Sequence, residues 1–207
     1  IRKNKDGIFC YSGSSPKITR NLLEENGRAI ACVQLCAPAI EKNLIAGNKT
    51  GVYLHLSSYA VIHDNNFSGN TLHVELDNMS ADWENRAMSK SPRGMRAQNL
   101  AMVERGVDKP KDVPDYKPIH DYVDAEGNWW GPDTTREMEA KGDDADIAAI
   151  RDYHDVPTRK YEGYEGEYVQ DRVRFAKWRT APVADAGPPK EAQEKSSEKA
   201  PEKMPEK

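Results

Sequence analysis

The chain has 207 residues, 37% hydrophobic and 31% charged, with Lys+Arg 30 against Asp+Glu 34 and a formal net charge of -4. That length predicts one domain, or one domain plus appendages, and the charge balance supplies no sequence-wide basic field for nucleic acid. No apolar run approaches the roughly 20 residues of a spanning helix, and three Cys without a C-x-x-C exclude a disulfide-built scaffold and a heme or zinc spacing.

From Ile1 to Asp77 the chain repeats every 22 residues. Ile8, Ile30, Val52 and Val74 form one column, and Cys10, Cys32, Leu54 and Leu76 a second. Ile18, Ile40 and Ile62 form a third, and Leu23, Ile45 and Phe67 a fourth. Apolar residues alternate within each period, as in Ile8-x-Cys10, which predicts strands with one buried face. A 22-residue unit is too short for two helices, and the β-branched columns do not meet the leucine-rich pattern. The prediction is an all-β chain, a right-handed parallel β-helix with about three short strands per turn around a dry core.

Two asparagine columns accompany the repeat: Asn21, Asn43 and Asn65, and Asn4, Asn26, Asn48 and Asn70. Asn tolerates left-handed backbone and bonds neighbouring backbone. Stacked at one corner, its amides can bond one another as a ladder. These columns are predicted to be structural. Ile1 aligns with Leu23, so the chain starts in mid-turn. That predicts upstream turns, or a partner, covering the N-terminal edge.

The pattern breaks after Asp77. Residues 78–122 are predicted as an insertion with helices over 81–89 and 95–105 and a proline-rich stretch over 109–118; a segment of that length is usually functional or a cap. Residues 123–183 are predicted to close the stack. Asn128 retakes the asparagine corner, Trp129 or Trp130 fills the core end, and Gly131 completes the cap. A short helix is expected over 146–153, and an extended wrap or edge strands over 161–183. From 184 on a disordered tail is expected: residues 187–207 hold 5 Lys, 5 Glu and 4 Pro and cannot bury enough surface to order themselves.

Stretches such as GIFCYSGSSPKITRNLLEENG and GVYLHLSSYAVIHDNNFSGN, with GNWWGP at 127–132, resemble the right-handed parallel β-helix repeat proteins of pectin-lyase-like fold. The resemblance extends to their carbohydrate-binding and sugar-hydrolysis domains and to the periplasmic copper-binding branch linked to nitrous oxide reductase maturation. It covers about residues 1–77 and 123–156. It implies an exported protein (periplasmic, cell-surface or extracellular) and leaves the function open, since this fold hosts many activities.

Alternation places Tyr11, Tyr53, His55, Glu75 and Asp77 on the outward face of the first strand, with His55 about 4.8 Å from Asp77 on the next turn. Aromatic rings and carboxylates there suit a polysaccharide or protein ligand. No catalytic residue is expected: hydrolysis needs two carboxylates flanking a glycosidic bond, and Glu75 and Asp77 are the outward acids on that strand. A copper site would draw on His55, His63, His73 and Met79, whose spacing does not converge. Cys10 and Cys32 read as core thiols, Cys36 as a corner residue, and a Cys10–Cys32 disulfide as strained. The reading is a non-catalytic exported solenoid with no cofactor. The alternatives are a polysaccharide lyase or hydrolase with its catalytic residues upstream, and a copper-binding accessory protein.

Overall fold

The 22-residue columns become hydrogen-bonded neighbours. In the computed structural model, which describes residues 1–87 and 120–189, Ile8 pairs in register with Ile30, Ile30 with Val52, and Val52 with Val74. Strands β1 (Asp6–Tyr11), β4 (Arg28–Val33), β7 (Thr50–His55) and β10 (Leu72–Asp77) form one parallel sheet, which β12 (Ile150–Arg151) extends. A second contains β2 (Lys17–Thr19), β5 (Ala39–Glu41), β8 (Val61–His63), β11 (Tyr122–Asp124) and β15 (Arg172–Arg174). The third stacks β3 (Leu22–Glu24), β6 (Leu44–Ala46) and β9 (Asn66–Ser68). The fold is the expected right-handed parallel β-helix.

Every apolar column points inward. Leu23, Ile30, Ile40, Ile45, Val52, Leu54, Ile62, Phe67 and Val74 are all fully buried, each contributing about 1.5–3 kcal/mol of transfer free energy. The asparagine ladders form as predicted. Asn43 accepts from the backbone and side-chain amides of Asn21 (both 3.0 Å) and donates to Ile18 O, Glu41 O and Asn65 Oδ1. Asn26, Asn48 and Asn70 repeat the scheme at the next corner. The left-handed conformation, however, belongs to the residue before each Asn. Arg20, Lys42 and Asp64 have φ 57, 54 and 55°, and Glu25, Gly47 and Gly69 have 55, 63 and 61°. The corner bends first, and the amide then locks the next strand.

After β10, α1 (Ala81–Ala87) begins the insertion; the remainder of the helix expected over 81–89, and the one over 95–105, lie outside the described residues. On its return the chain places Asn128 under Asn65, accepting from its backbone N–H (2.8 Å) and side chain (3.0 Å). Trp130 fills the end of the core, fully buried and stacked on Phe67 with ring centroids 4.8 Å apart, while Trp129 stays partly exposed. Gly131 has φ 78°, and a Cβ there would lie 3.2 Å from Phe67 O.

The expected helix over 146–153 is displaced. α2 spans Gly131–Lys141, with proline in its first turn, where the missing N–H costs nothing. Ile150 and Arg151 instead form β12 beside β10. Strands β13 (Thr158–Arg159) and β14 (Tyr168–Val169) make an antiparallel pair. From Lys177 the chain returns across the stack as a strap. Arg179 N–H donates to Asn128 O (2.9 Å), Asn66 brackets the backbone of Val183, and Gly187 N–H donates to Lys42 O (2.8 Å). Of the disordered tail expected from 184, residues 184–189 are instead placed, and Asp185 pairs with Lys42 (2.7 Å) and Arg20 (3.1 Å). Residues 190–207 lie outside the described residues.

Candidate functional site

The outward face of the first sheet collects rings and charges. Phe9 and Tyr11, on β1, are each 54% exposed and stack on one another with centroids 6.2 Å apart. Both stand outward because Ile8 and Cys10 face the core. Two turns along, Tyr53 and His55 repeat the arrangement at 6.1 Å and 8°, with Ala31 and Val33 between the two pairs.

Asp77 organises the far end. It accepts from the Tyr53 hydroxyl (2.8 Å), lies 3.1 Å from His55 Nδ1 through the same oxygen, and has Arg159 at 3.4 Å on the other. The His55 bond, followed by the Tyr53 bond, brings its carboxyl down to about 2 against the opposing effect of burial. Burial and the Asp77 carboxylate raise the Tyr53 phenol. Neighbouring positions are also occupied. Glu75 accepts from Thr50 (3.1 Å) and faces Arg151 (3.6 Å), and Arg28, paired with Asp6, covers the Tyr53 ring at 4.7 Å.

The predicted residues thus fall into two groups. Tyr53, His55, Glu75 and Asp77 form a connected polar network, with the His55 ring held by Asp77. Tyr11 stands apart, and its open stacking partner is Phe9.

The three histidines do not come together. His63, on β8, lies 3.0 Å from Asp124. His73, on β10, is buried at the core end between Asn70 (3.1 Å) and Thr134 (3.1 Å). Gly51 leaves the room: a Cβ there would sit 2.5 Å from His73 O. Burial brings the His73 pKa down to about 4. Met79 Sδ accepts from Ser58 N–H (3.3 Å). Among the described residues, no group of three or more His, Cys, Asp or Glu could hold a metal ion.

A cleft of about 740 Å³ lies under the strap, lined by Lys42, Asp64, Lys177, Arg179 and Asp185. Its charges are paired within the chain: Arg179 with Asp64, Lys42 with Asp185, and Lys177 with Glu126. Sequence reasoning also missed a further corner column, Ser14, Cys36 and Ser58, in which Ser14 Oγ is 3.5 Å from Cys36 Sγ and Cys36 N–H donates to Ser58 Oγ (3.4 Å). Its 22-residue spacing was the available signal. A buried clamp, Asp171, was equally unforeseen: it accepts from Tyr59 O–H (2.9 Å) and Ala81 N–H (2.7 Å), and burial raises it to about 7.

Residues 1–93 match the family model described as periplasmic copper-binding protein (NosD). No curated protein and no solved structure matches the chain. The matched segment contains the repeating turns, and its family is periplasmic, in agreement with the exported location implied by the repeat's resemblance. No helix among the described residues is long and apolar enough to cross a membrane.

Proposed function

We propose that this NosD-like β-helix is a non-catalytic periplasmic solenoid that presents the outer face of its long sheet to an extended ligand, a polysaccharide chain in preference to a protein. The observation that carries this reading is the pair of open, stacked rings, Phe9 and Tyr11, on the same flat face as the Tyr53–His55 pair. Flat rings offer apolar area to the faces of sugars while their edges stay wet. The polar network around Asp77 supplies fixed partners for hydroxyls. Asp77, whose carboxyl is held low by its His55 and Tyr53 bonds, lacks the raised pKa that a general acid needs, which argues against hydrolysis here.

Binding to a panel of immobilised glycans tests the reading. Phe9→Ala with Tyr11→Ala is expected to weaken binding at least about tenfold, since each ring contributes about a kcal/mol or more beyond its area. Unchanged binding removes this face from consideration, and binding to protein partners alone replaces the polysaccharide with a protein.

A second reading, copper handling, is favoured by the match of residues 1–93 to a family described as copper-binding. The histidines offer no shared site, so the chain's soft donors are its sulfur atoms. Calorimetric titration with copper decides whether the chain binds the metal; no heat and no bound metal end this reading.

A further inference from the structure

All three cysteines of the chain are buried on its first two turns, and two of them stack in one column. Cys10 on β1 and Cys32 on β4 are in-register neighbours, both facing the core. At the adjoining corner Ser14 Oγ lies 3.5 Å from Cys36 Sγ. No disulfide joins the cysteines. Further along the same columns stand Leu54, Leu76 and Ser58, so thiols are confined to the first two turns. A lone buried Cys behaves as a small hydrophobe; that does not account for two in-register core thiols where Leu follows on the later turns.

The spacing suits a metal. Two metal–thiolate bonds of about 2.3 Å each together span nearly the ~4.8 Å between neighbouring strands. Thiolates select Cu(I), whereas carboxylates and carbonyls select hard cations, and Cu(I) accepts two ligands in line. We propose that Cys10 and Cys32 bind one Cu(I) ion as a two-coordinate dithiolate, an inference that rests on the copper reading. Binding replaces two S–H bonds with two Cu–S bonds and releases two protons to solvent; the ion enters as Cu(I), so no electron moves. Among the described strands β1 is at the sheet edge, and Cys10, 5% exposed against 0% for Cys32, is the more accessible of the two thiols.

Anaerobic titration of the reduced full chain with Cu(I), against a competing chelator, tests the site through the ultraviolet sulfur-to-copper absorption and the number of reactive thiols. One equivalent is expected to bind, with the absorption band present and two thiols protected. Cys10→Ser and Cys32→Ser should each abolish the band and weaken binding by at least about 100-fold, beyond the usual cost of losing a supporting contact. Cys36→Ser should change affinity by less than about tenfold. Should a serine variant fail to fold, thiol protection in the parent protein decides. Copper that binds with all three thiols still reactive overturns the site but keeps the copper reading, and more so if His55→Ala with His63→Ala releases it. No binding by the parent overturns both.

Discussion

In the repeating turns each corner amide makes the same bonds as the one 22 residues away; in the closure between 120 and 189, beyond Asn128, the buried polar contacts follow no such period. Asn21, Asn43 and Asn65 share one scheme, whereas Asp171 joins Tyr59 to Ala81 and Asp152 binds the backbone of His154 and Val173. The turns divide their stability among equivalent interfaces. The closure concentrates it in single side chains, and Trp130 is the place where the two schemes meet.

Substitutions can break or sharpen that contrast. The largest effect is expected from Trp130→Ala, which empties the core end against Phe67 and His73 and should cost about 4 kcal/mol in denaturant unfolding. A loss under about 1 kcal/mol would mean that the stack ends without its plug. Asn43→Ala removes a buried ladder rung and orphans buried amides and carbonyls, for an expected loss of about 3 kcal/mol. Asn21→Ala, at the more exposed end of the same column, should cost clearly less; equal losses would contradict the burial argument.

His73 adds a pH signature. Its folded pKa of about 4 lies below the ordinary 6.5 of an exposed histidine, so its contribution is complete above about 6.5 and fades as pH falls through that value toward 4. The folded state binds fewer protons across this window, and about 2 kcal/mol of stability should disappear between pH 7 and pH 5 relative to His73→Gln. Parallel pH curves for the two proteins would place His73 in the open. Smallest is Asn66→Ala, which releases the bracket on Val183 and should cost about 1–2 kcal/mol. Faster proteolysis within 177–187, with little change in the turns, is the expected readout.

Legibility in the sequence follows the same divide. The apolar columns, both asparagine ladders, Asn128 and the His55–Asp77 contact could be read because a fixed period converts sequence spacing into spatial neighbourhood. Even there, the left-handed residue was assigned to the Asn rather than to its predecessor, because chemistry permits either. The position of α2 was signalled by Gly131-Pro132, a helix start, but the tryptophans beside it drew the reading toward a cap alone. The strap and the Asp171 clamp have no period, and Asn66–Val183 and Ala81–Asp171 are 117 and 90 residues apart, so spacing carries no information about them. Of the candidate face, alternation identified Tyr11, Tyr53, His55, Glu75 and Asp77. Which of them are already held by Arg28, Arg151 and Arg159 depends on how long side chains lie, which alternation does not encode.

The asparagine ladders also have a direction. At every rung the backbone and side-chain N–H groups donate to the Oδ1 of the Asn one turn nearer the C-terminus, from Asn4 to Asn26 and onward to Asn70, and from Asn21 through to Asn128. Such a column works like an arrow: a rung fits only with its acceptor toward the turn before and its donors toward the turn after. A turn added in the reverse sense would set oxygen against oxygen. Any turn or neighbouring solenoid that continues these corners must therefore join head to tail.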